Sequence, residues 1–410
     1  MASHGMPRPL TTERRTEQTR LKEQKRIKEY KELVSLIETK IAERQYTKEV
    51  LELTSKLLRE NPEYYTIWNV RRRLLIYGLF SKPSDSSLPS TGSQTSSLTG
   101  TITASSEESS TSSSMTTPPN PDSQNHGKNG TTLGLITADL EFLVPLLVQY
   151  PKCYWIWNYR LWLLDQAKER LDIPTVKKLW QQEFGLVGKM LTRDSRNFHG
   201  WRYRRLIVAQ LESPELEGHS MVEQEFEYTT KMTRINLSNF SAWHARSKLI
   251  PRLLNERQAD DEARRKFLDN GVYYNHACLL ITINTSIEFD IMNRALWTDP
   301  TDQSLWFYQQ FLMTTLTNYV GHATITPNFT TEDRIEYVTR QLTNVKDMLE
   351  GAEDCKWIYN ALVEYTIALW RMQDRLPEED EKQEVKLWLA QLKQLDPFRT
   401  GKWDDIETSL

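Results

Sequence analysis

The chain has 410 residues, of which 39% are apolar, and it carries 13 tryptophans and a formal net charge of −3 at pH 7. Its length exceeds the usual size of one compact core, which leaves several domains or an elongated repeat architecture. The slightly negative charge excludes the overall basic attraction that many nucleic-acid-binding proteins use, so we expect no nucleic acid partner.

The few cysteines and the lack of long apolar runs indicate where in the cell the protein is located. Cys153, Cys278 and Cys355 are far apart in the sequence, which argues against a disulfide framework and favours a reducing, cytoplasmic location. The N-terminus lacks an apolar run of signal-peptide length, and no stretch reaches the roughly 18 apolar residues of a spanning helix. We therefore expect no direct membrane span.

In chain order, the sequence divides into four segments. Residues 1–80 have helical spacing of apolar residues, interrupted at Asn61-Pro62, and contain the first copy of a repeat. Residues 81–133 are rich in serine and threonine, with few large apolar residues, and are predicted to be a disordered insert. Residues 134–400 return to helical periods, and 401–410 form a C-terminal tail.

A repeat built around tryptophan is the strongest signal in the sequence. In each copy a polar or proline-containing turn precedes a tryptophan that opens a helix, and in four copies an arginine follows three residues later. The copies contain Trp68 with Arg71, Trp157 with Arg160, Trp201 with Arg204, Trp243 with Arg246, and Trp306, and a weaker sixth surrounds Trp357. The spacing predicts an all-α fold, a right-handed α-α superhelix of helical hairpins.

The tryptophans and arginines have two possible roles. The tryptophans are expected to pack one hairpin against the next. Because positions three residues apart share a helix face, each arginine is placed to interact with its tryptophan as a cation with a π system. The arginines either tie turns and neighbouring helices together or line a concave face that binds a partner.

The repeated Pro-x-x-Tyr-x-x-Trp-x-x-Arg units resemble those of protein prenyltransferase α subunits. The segments 196–201, 236–244 and 298–308 are similar to the Rab-type α subunits of this family, the type II geranylgeranyltransferases. The resemblance implies a helical scaffold wrapped around a β subunit, which holds the isoprenoid and a zinc ion and without which the enzyme is inactive. It also implies transfer of geranylgeranyl from its diphosphate to C-terminal cysteines of Rab GTPases, presented by an escort protein.

The resemblance carries two site residues over to this chain. Lys152, in Tyr150-Pro151-Lys152-Cys153-Tyr154, matches a family lysine that faces the prenyl diphosphate, where a positive charge stabilises the leaving group. The farnesyl-type subunits have a tyrosine where Phe198 stands, so that hydroxyl is missing here. His199 is then a candidate polar neighbour of the diphosphate.

The chain itself offers no metal or cofactor motif. Its seven histidines and three cysteines form no HExxH or CxxC pattern, so we expect no cofactor here and a zinc ion in the β subunit. Two other functions stay open: the α subunit shared by farnesyltransferase and type I geranylgeranyltransferase, and a non-catalytic tetratricopeptide-like adaptor. The short sequence after Trp403 is expected to leave no room for the additional domains of some relatives.

Overall fold

The structure, a computed structural model, describes residues 17–80, 121–268, 288–318 and 324–410, with the backbone alone for 121–130. Within these ranges every regular element is a helix. The prediction of an all-α fold is therefore confirmed. Cys278 lies outside the described residues.

Helix α1 (Glu17–Ala42) precedes seven consecutive helix pairs in the described ranges. The first four pairs are α2 (Lys48–Glu60) with α3 (Tyr65–Leu74), α4 (Pro121–Gln149) with α5 (Tyr154–Arg170), α6 (Ile173–Arg193) with α7 (Phe198–Leu211), and α8 (Val222–Ile235) with α9 (Phe240–Glu256). Helix α10 (Asp261–Leu268) follows, and then come α11 (Glu288–Thr298) with α12 (Gln303–Thr317), α13 (Thr331–Asp347) with α14 (Lys356–Met372), and α15 (Glu379–Leu395) with α16 (Thr400–Thr408). Short helical turns occupy Leu75–Leu79, Pro214–Leu216 and Pro397–Arg399.

Polar turn residues of the repeat cap some of its tryptophan-bearing helices, whereas α3 and α5 have no side-chain cap. The Asn239 side chain accepts a hydrogen bond from the Ala242 amide at the start of α9, at 3.1 Å. Asp302 accepts one from the Ser304 amide at the start of α12, at 2.8 Å. Each cap satisfies a backbone N–H that the first turn of a helix leaves without a partner, and so fixes where the helix begins.

The predicted C-terminal boundary of the disordered insert, residue 133, is too far along the chain. Helix α4 begins at Pro121, inside the segment 81–133, so residues 121–133 are corrected from disordered to helical. Proline is tolerated at the first helical position, where its missing N–H costs no hydrogen bond, and the apolar second half of α4 supplies the packing that supports the helix. Residues 81–120 lie outside the described residues.

Helix α4 also corrects the expectation about apolar length. Residues Thr131–Gln149 reach a mean hydropathy of 1.6 and are long enough to cross a membrane by length and composition. Leu143 and Leu147 in this stretch are buried in the protein, and its Asp139 is paired with Arg71. These contacts are typical of the core helix of a repeat protein.

The chain forms two compact units. Unit 1 contains residues 1–190 and 202–218, and unit 2 contains 191–201 and 219–410. In unit 1 the core includes the buried indoles of Trp68, Trp157 and Trp180. In unit 2 a continuous apolar cluster includes Trp243 and Trp306 and extends to Trp403 in α16.

The sixth copy of the repeat is present, but its register differs from the prediction. The Tyr359 hydroxyl, and not Trp357, donates to a carbonyl six residues earlier, that of Glu353, at 3.0 Å. Cys355 and Cys153 also correspond, because each thiol donates to a carbonyl of the preceding pair, that of Pro300 at 3.0 Å and that of Pro62 at 3.5 Å. The copy therefore centres on Tyr359.

The last helix pair has a turn with the spacing of the repeat that was missed, although the indole N–H of Trp403 has no hydrogen-bond partner among the described residues. Asp396-Pro397 precedes Trp403 by the same interval that separates Asp299-Pro300 from Trp306. Trp403 is 1% exposed and belongs to α16, the second helix of the last pair. The segment 401–410, predicted to be a tail, is thus mostly helical.

Candidate functional site: buried repeat clusters and exposed repeat turns

The five predicted tryptophans occupy one structural position. In every copy the indole N–H donates to the carbonyl six residues earlier, at 2.7 to 2.9 Å, and the ring is at most 5% exposed. The bond closes the turn onto the helix that follows, while the ring fills the space between neighbouring helices. Each tryptophan therefore sets the geometry of its turn.

In unit 1 the arginines following two tryptophans are buried in polar clusters. Arg71 forms an ion pair with Asp139 of α4, and Tyr159 of α5 donates to the same carboxylate at 2.7 Å. Arg160 forms an ion pair with Glu183 of α6, and Tyr203 of α7 donates to it at 2.6 Å. Each cluster joins one helix pair to both helices of the next pair.

Unit 2 repeats this arrangement with Arg246, Glu288 and Tyr308. The Arg246 Nε donates to Glu288 at 2.9 Å, and the Tyr308 hydroxyl donates to the same carboxylate at 2.6 Å. The Trp243 ring lies 4.6 Å from the Tyr308 ring, centroid to centroid. Since Glu288 is fully buried, its charge depends on these two partners.

The predicted contact between each arginine and its own tryptophan is corrected. The guanidinium groups lie over phenylalanine rings of the first helices: Arg71 is 4.6 Å from the Phe142 centroid, and Arg246 is 3.8 Å from that of Phe226. Arg204, also buried, lies 4.3 Å from the Phe184 centroid. The cation–π partner of each of these three arginines is therefore a phenylalanine and not the tryptophan three residues earlier.

The fifth copy contains an uncharged version of the cluster. Gln309 stands three residues after Trp306, where the other copies have arginine. Its amide donates to Gln341 at 3.0 Å, and it is also hydrogen-bonded to the buried Tyr365. The same structural position thus accepts either an ion pair or a pair of amides.

Sequence reasoning missed the acidic and phenolic members of these clusters. The carboxylates Asp139, Glu183 and Glu288 each precede the tyrosine they bind by 20 residues. That constant interval, with the tyrosine two residues after the next tryptophan, was a usable signal. Acidic residues on helices are usually solvated, so an acidic residue by itself does not indicate a buried cluster.

The buried phenols predict an alkaline loss of stability. Burial, and then the charge of Glu288, raise the pKa of Tyr308 well above its ordinary value. In the same way, burial and then the charge of Asp139 raise the pKa of Tyr159, and burial and then the charge of Glu183 raise the pKa of Tyr203. Above about pH 10 the unfolded chain ionises these phenols while the folded chain keeps them protonated, so the free energy of unfolding falls as pH rises. Each phenol contributes about 1.4 kcal/mol per pH unit to this fall.

Urea unfolding of the Tyr308→Phe variant between about pH 9 and pH 11 tests this, because tyrosine ordinarily titrates near pH 10. The variant should lose stability less steeply with pH than the original chain. Tyr65→Phe, at a side chain that is 53% exposed, is the matched control and should leave the slope unchanged. Equal slopes for all three proteins would contradict the assignment.

The predicted site residue Lys152 lies in the turn before α5, in unit 1. Its side chain is exposed, while the adjacent Cys153 is buried. Within the described ranges no hydrogen bond or ion pair is recorded for its ammonium group. The 17-residue helix α5 begins two residues after Lys152, and its N-terminus carries a partial positive charge close to that lysine.

The second predicted residue, His199, lies in the first turn of α7, in unit 2. It is half-buried, and its ring centroid is 3.9 Å from that of Phe198, which is 67% exposed. The phenylalanine places an apolar ring at the turn position where farnesyl-type subunits have a hydroxyl. His199 therefore has an apolar neighbour on one side.

Exposed aromatic rings recur at the starts of the second helices. In unit 1, Tyr65 and Tyr154 open α3 and α5, and in unit 2, Phe198 and Phe240 open α7 and α9. Phe307 follows Trp306 within α12 and so occupies another position of the repeat, but it contacts Phe240 and Trp357 in unit 2, at 5.9 Å and 5.8 Å between centroids. Exposed aromatic residues in this density are typical of a surface that binds another protein.

Comparison with known proteins identifies the repeat. The family model for the protein prenyltransferase alpha subunit repeat matches residues 47–77, 136–167, 180–211, 222–253 and 286–316, which correspond to the five predicted copies. The last two helix pairs lie outside these matches.

Curated relatives carry the name geranylgeranyl transferase type-2 subunit alpha. The chain is 29% identical to that of Candida albicans, over 98% of this chain and 96% of the relative. It is 31% identical to that of Saccharomyces cerevisiae, over 74% of this chain and 70% of the relative. The relative from Rattus norvegicus is 30% identical over 76% of this chain, and the matched part covers 41% of that longer protein.

A solved structure shares the fold. A chain of the Candida albicans protein geranylgeranyltransferase-I complexed with GGPP matches 93% of this chain and 90% of its own length, with a TM-score of 0.53 and 16% identity. That likeness concerns the fold alone, while the names of the more similar relatives favour the type-2 assignment over the farnesyl-type alternative. The chain belongs to the protein prenyltransferase α-subunit family, in its geranylgeranyl transferase type-2 branch.

Proposed function

We propose that this chain is the α subunit of a heterodimeric type-2 geranylgeranyltransferase, which transfers geranylgeranyl from its diphosphate to C-terminal cysteines of Rab GTPases. The observation that carries the proposal is the similarity to type-2 α subunits over almost the whole chain. The segments 196–201, 236–244 and 298–308, which resemble the Rab type, support the choice of Rab GTPases and an escort protein as partners.

The proposed division of labour makes the α chain mainly a scaffold. In the described ranges, no group of three or more His, Cys, Asp or Glu residues is placed to hold a metal ion. We assign the zinc ion expected for the family, and most of the isoprenoid contacts, to the β subunit. A zinc-bound thiolate of the Rab cysteine would be the nucleophile there.

The β subunit is proposed to bind the exposed aromatic rings at the starts of the second helices. Their recurrence at one position of the repeat supports a single extended partner, because several copies of the repeat present an exposed aromatic ring. A tetratricopeptide-like adaptor would also bind through repeat helices, but the type-2 names of the relatives favour the transferase.

Lys152 is proposed to stabilise the departing diphosphate. The bond from the isoprenoid carbon to the diphosphate oxygen breaks as the cysteine sulfur attacks, so negative charge grows on that oxygen. A lysine ammonium and a helix N-terminus stabilise such charge more in the transition state than in the ground state. We also propose a cytoplasmic location, which the free thiols of Cys153 and Cys355 support.

Co-expression with candidate β subunits tests the proposed function. The chain should form a stable complex with a type-2 β subunit and support geranylgeranyl transfer to a Rab substrate only when the escort protein is present. A stable and active complex formed only with a farnesyl-type β subunit on a C-a-a-X substrate would overturn it. A soluble, monomeric chain that binds neither β subunit would favour the adaptor.

A further inference from the structure

Arg72 of α3, in unit 1, has no carboxylate partner among the described residues. Its Nη1 donates to the side-chain oxygen of Asn69 at 3.1 Å, and its Nε is buried without a hydrogen-bond acceptor in that part of the chain. The preceding residue, Arg71, is by contrast paired with Asp139. Because a guanidinium has five N–H donors, the described part of the chain satisfies only a fraction of what Arg72 can bind.

Aromatic rings of α5 hold this guanidinium in place. The Arg72 Cζ lies 5.6 Å from the Trp162 centroid and 5.8 Å from that of Tyr159, and these two rings stack at 5.3 Å. Phe80 stacks on Trp162 at 6.4 Å. Burial lowers the pKa of Arg72, which means that part of its hydration is lost in the folded chain. A positioned and partly dehydrated guanidinium gains more from an opposite charge than one that moves freely in water.

Arg72 shares a helix face with exposed apolar residues. Tyr65, Asn69 and Arg72 follow one another at intervals of four and three residues, which places them along one side of α3. Tyr65 is 53% exposed and stacks on Trp155 of α5 at 5.3 Å, and Ile76, four residues after Arg72, is 38% exposed. An arginine among exposed aromatic and aliphatic side chains is the composition of an interface hot spot.

We propose that Arg72 is a charged anchor for the β subunit, which places an aspartate or glutamate side chain against this guanidinium. The inference rests on the proposed function and adds one charged contact to the exposed rings already assigned to β. A carboxylate matches the planar guanidinium and can accept two of its hydrogen bonds. A protein carboxylate is favoured over a small free anion, because only a protein would also cover Tyr65 and Ile76 on the same face.

The rate at which labelled α chains exchange out of the α–β complex tests the proposal. Arg72→Gln should raise this dissociation rate about 10²-fold, because it leaves the β carboxylate buried without its cation. Arg73→Gln is the matched control, since Arg73 is exposed and lies about 100° further round the same helix. It removes the same charge and should leave the dissociation rate unchanged.

Replacing the acidic residues of β one at a time, Asp by Asn and Glu by Gln, separates a contact with β from packing inside unit 1. One of these replacements should speed dissociation of the original complex and have no further effect on the Arg72→Gln complex.

Two results would overturn the inference alone. In the first, Arg72→Gln dissociates no faster than Arg73→Gln. In the second, Arg72→Gln dissociates faster but no acidic residue of β is coupled to it, so that Arg72 acts only within its own chain. An original chain that binds no type-2 β subunit would instead overturn the proposed function, and this inference with it.

Discussion

Replacing Arg246 with alanine should lower the free energy of unfolding by about 3 to 5 kcal/mol, because it leaves the charge of Glu288 buried without its cation. Glu288 is fully buried, so water cannot replace the guanidinium. Tyr308 would keep its hydrogen bond to the carboxylate, but one phenol does not neutralise the charge. Urea unfolding of the full chain, followed by circular dichroism, measures the loss.

The chain supplies its own control for this prediction. The double variant Arg246→Gln, Glu288→Gln rebuilds the uncharged arrangement that Gln309 and Gln341 form beside Tyr365. Because no charge is then buried, it should recover a large part of the stability lost in Arg246→Ala. If the double variant is as unstable as the single one, the loss arises from packing around the arginine and not from the orphaned carboxylate.

Replacing Lys152 with alanine should reduce kcat/KM for geranylgeranyl transfer by the α–β complex about 10²- to 10³-fold, if its ammonium stabilises the departing diphosphate. The stability of the chain should change little, since the side chain is exposed. Single-turnover transfer to a Rab substrate in the presence of escort protein measures the chemical step directly.

Two comparisons separate a charge effect from a structural one. Lys178→Ala removes an exposed lysine elsewhere in unit 1 and should leave transfer unchanged. Lys152→Arg keeps the charge and should retain more activity than Lys152→Ala. Transfer by Lys152→Ala at the original rate would show that the diphosphate is stabilised by the β subunit alone.

The repeat was predictable because its strongest positions are large and local. A tryptophan, its turn and the following helix lie within one short segment, so their pattern is visible in sequence and survives in the structure. The copy centred on Tyr359 was misplaced, because it replaces the indole by a phenol that donates to the same carbonyl position. Because a phenol can make the same hydrogen bond as an indole, a search for tryptophan alone gave the wrong register for this copy.

The polar partners were harder to predict because they lie far apart in the chain. Arg71 and Asp139 are 68 residues apart in the sequence. Asp139 lies within the apolar stretch of α4, where a charged residue interrupts the apolar pattern and gives no indication of its partner. Lys152 was found through family resemblance, since an exposed turn lysine has no distinguishing pattern of its own.

The constant interval between carboxylate and tyrosine has a consequence for how this chain can vary in length. From Arg71 to Asp139, Arg160 to Glu183 and Arg246 to Glu288 the intervals are 68, 23 and 42 residues, yet from each acid to its tyrosine the interval is always 20. The connection inside a helix pair is therefore fixed by the cluster, whereas the connection between pairs is not. Segments 81–120 and 269–287 both fall between an arginine and its acid, where added residues leave every cluster intact, so evolution can lengthen this protein there without disturbing its repeat interfaces.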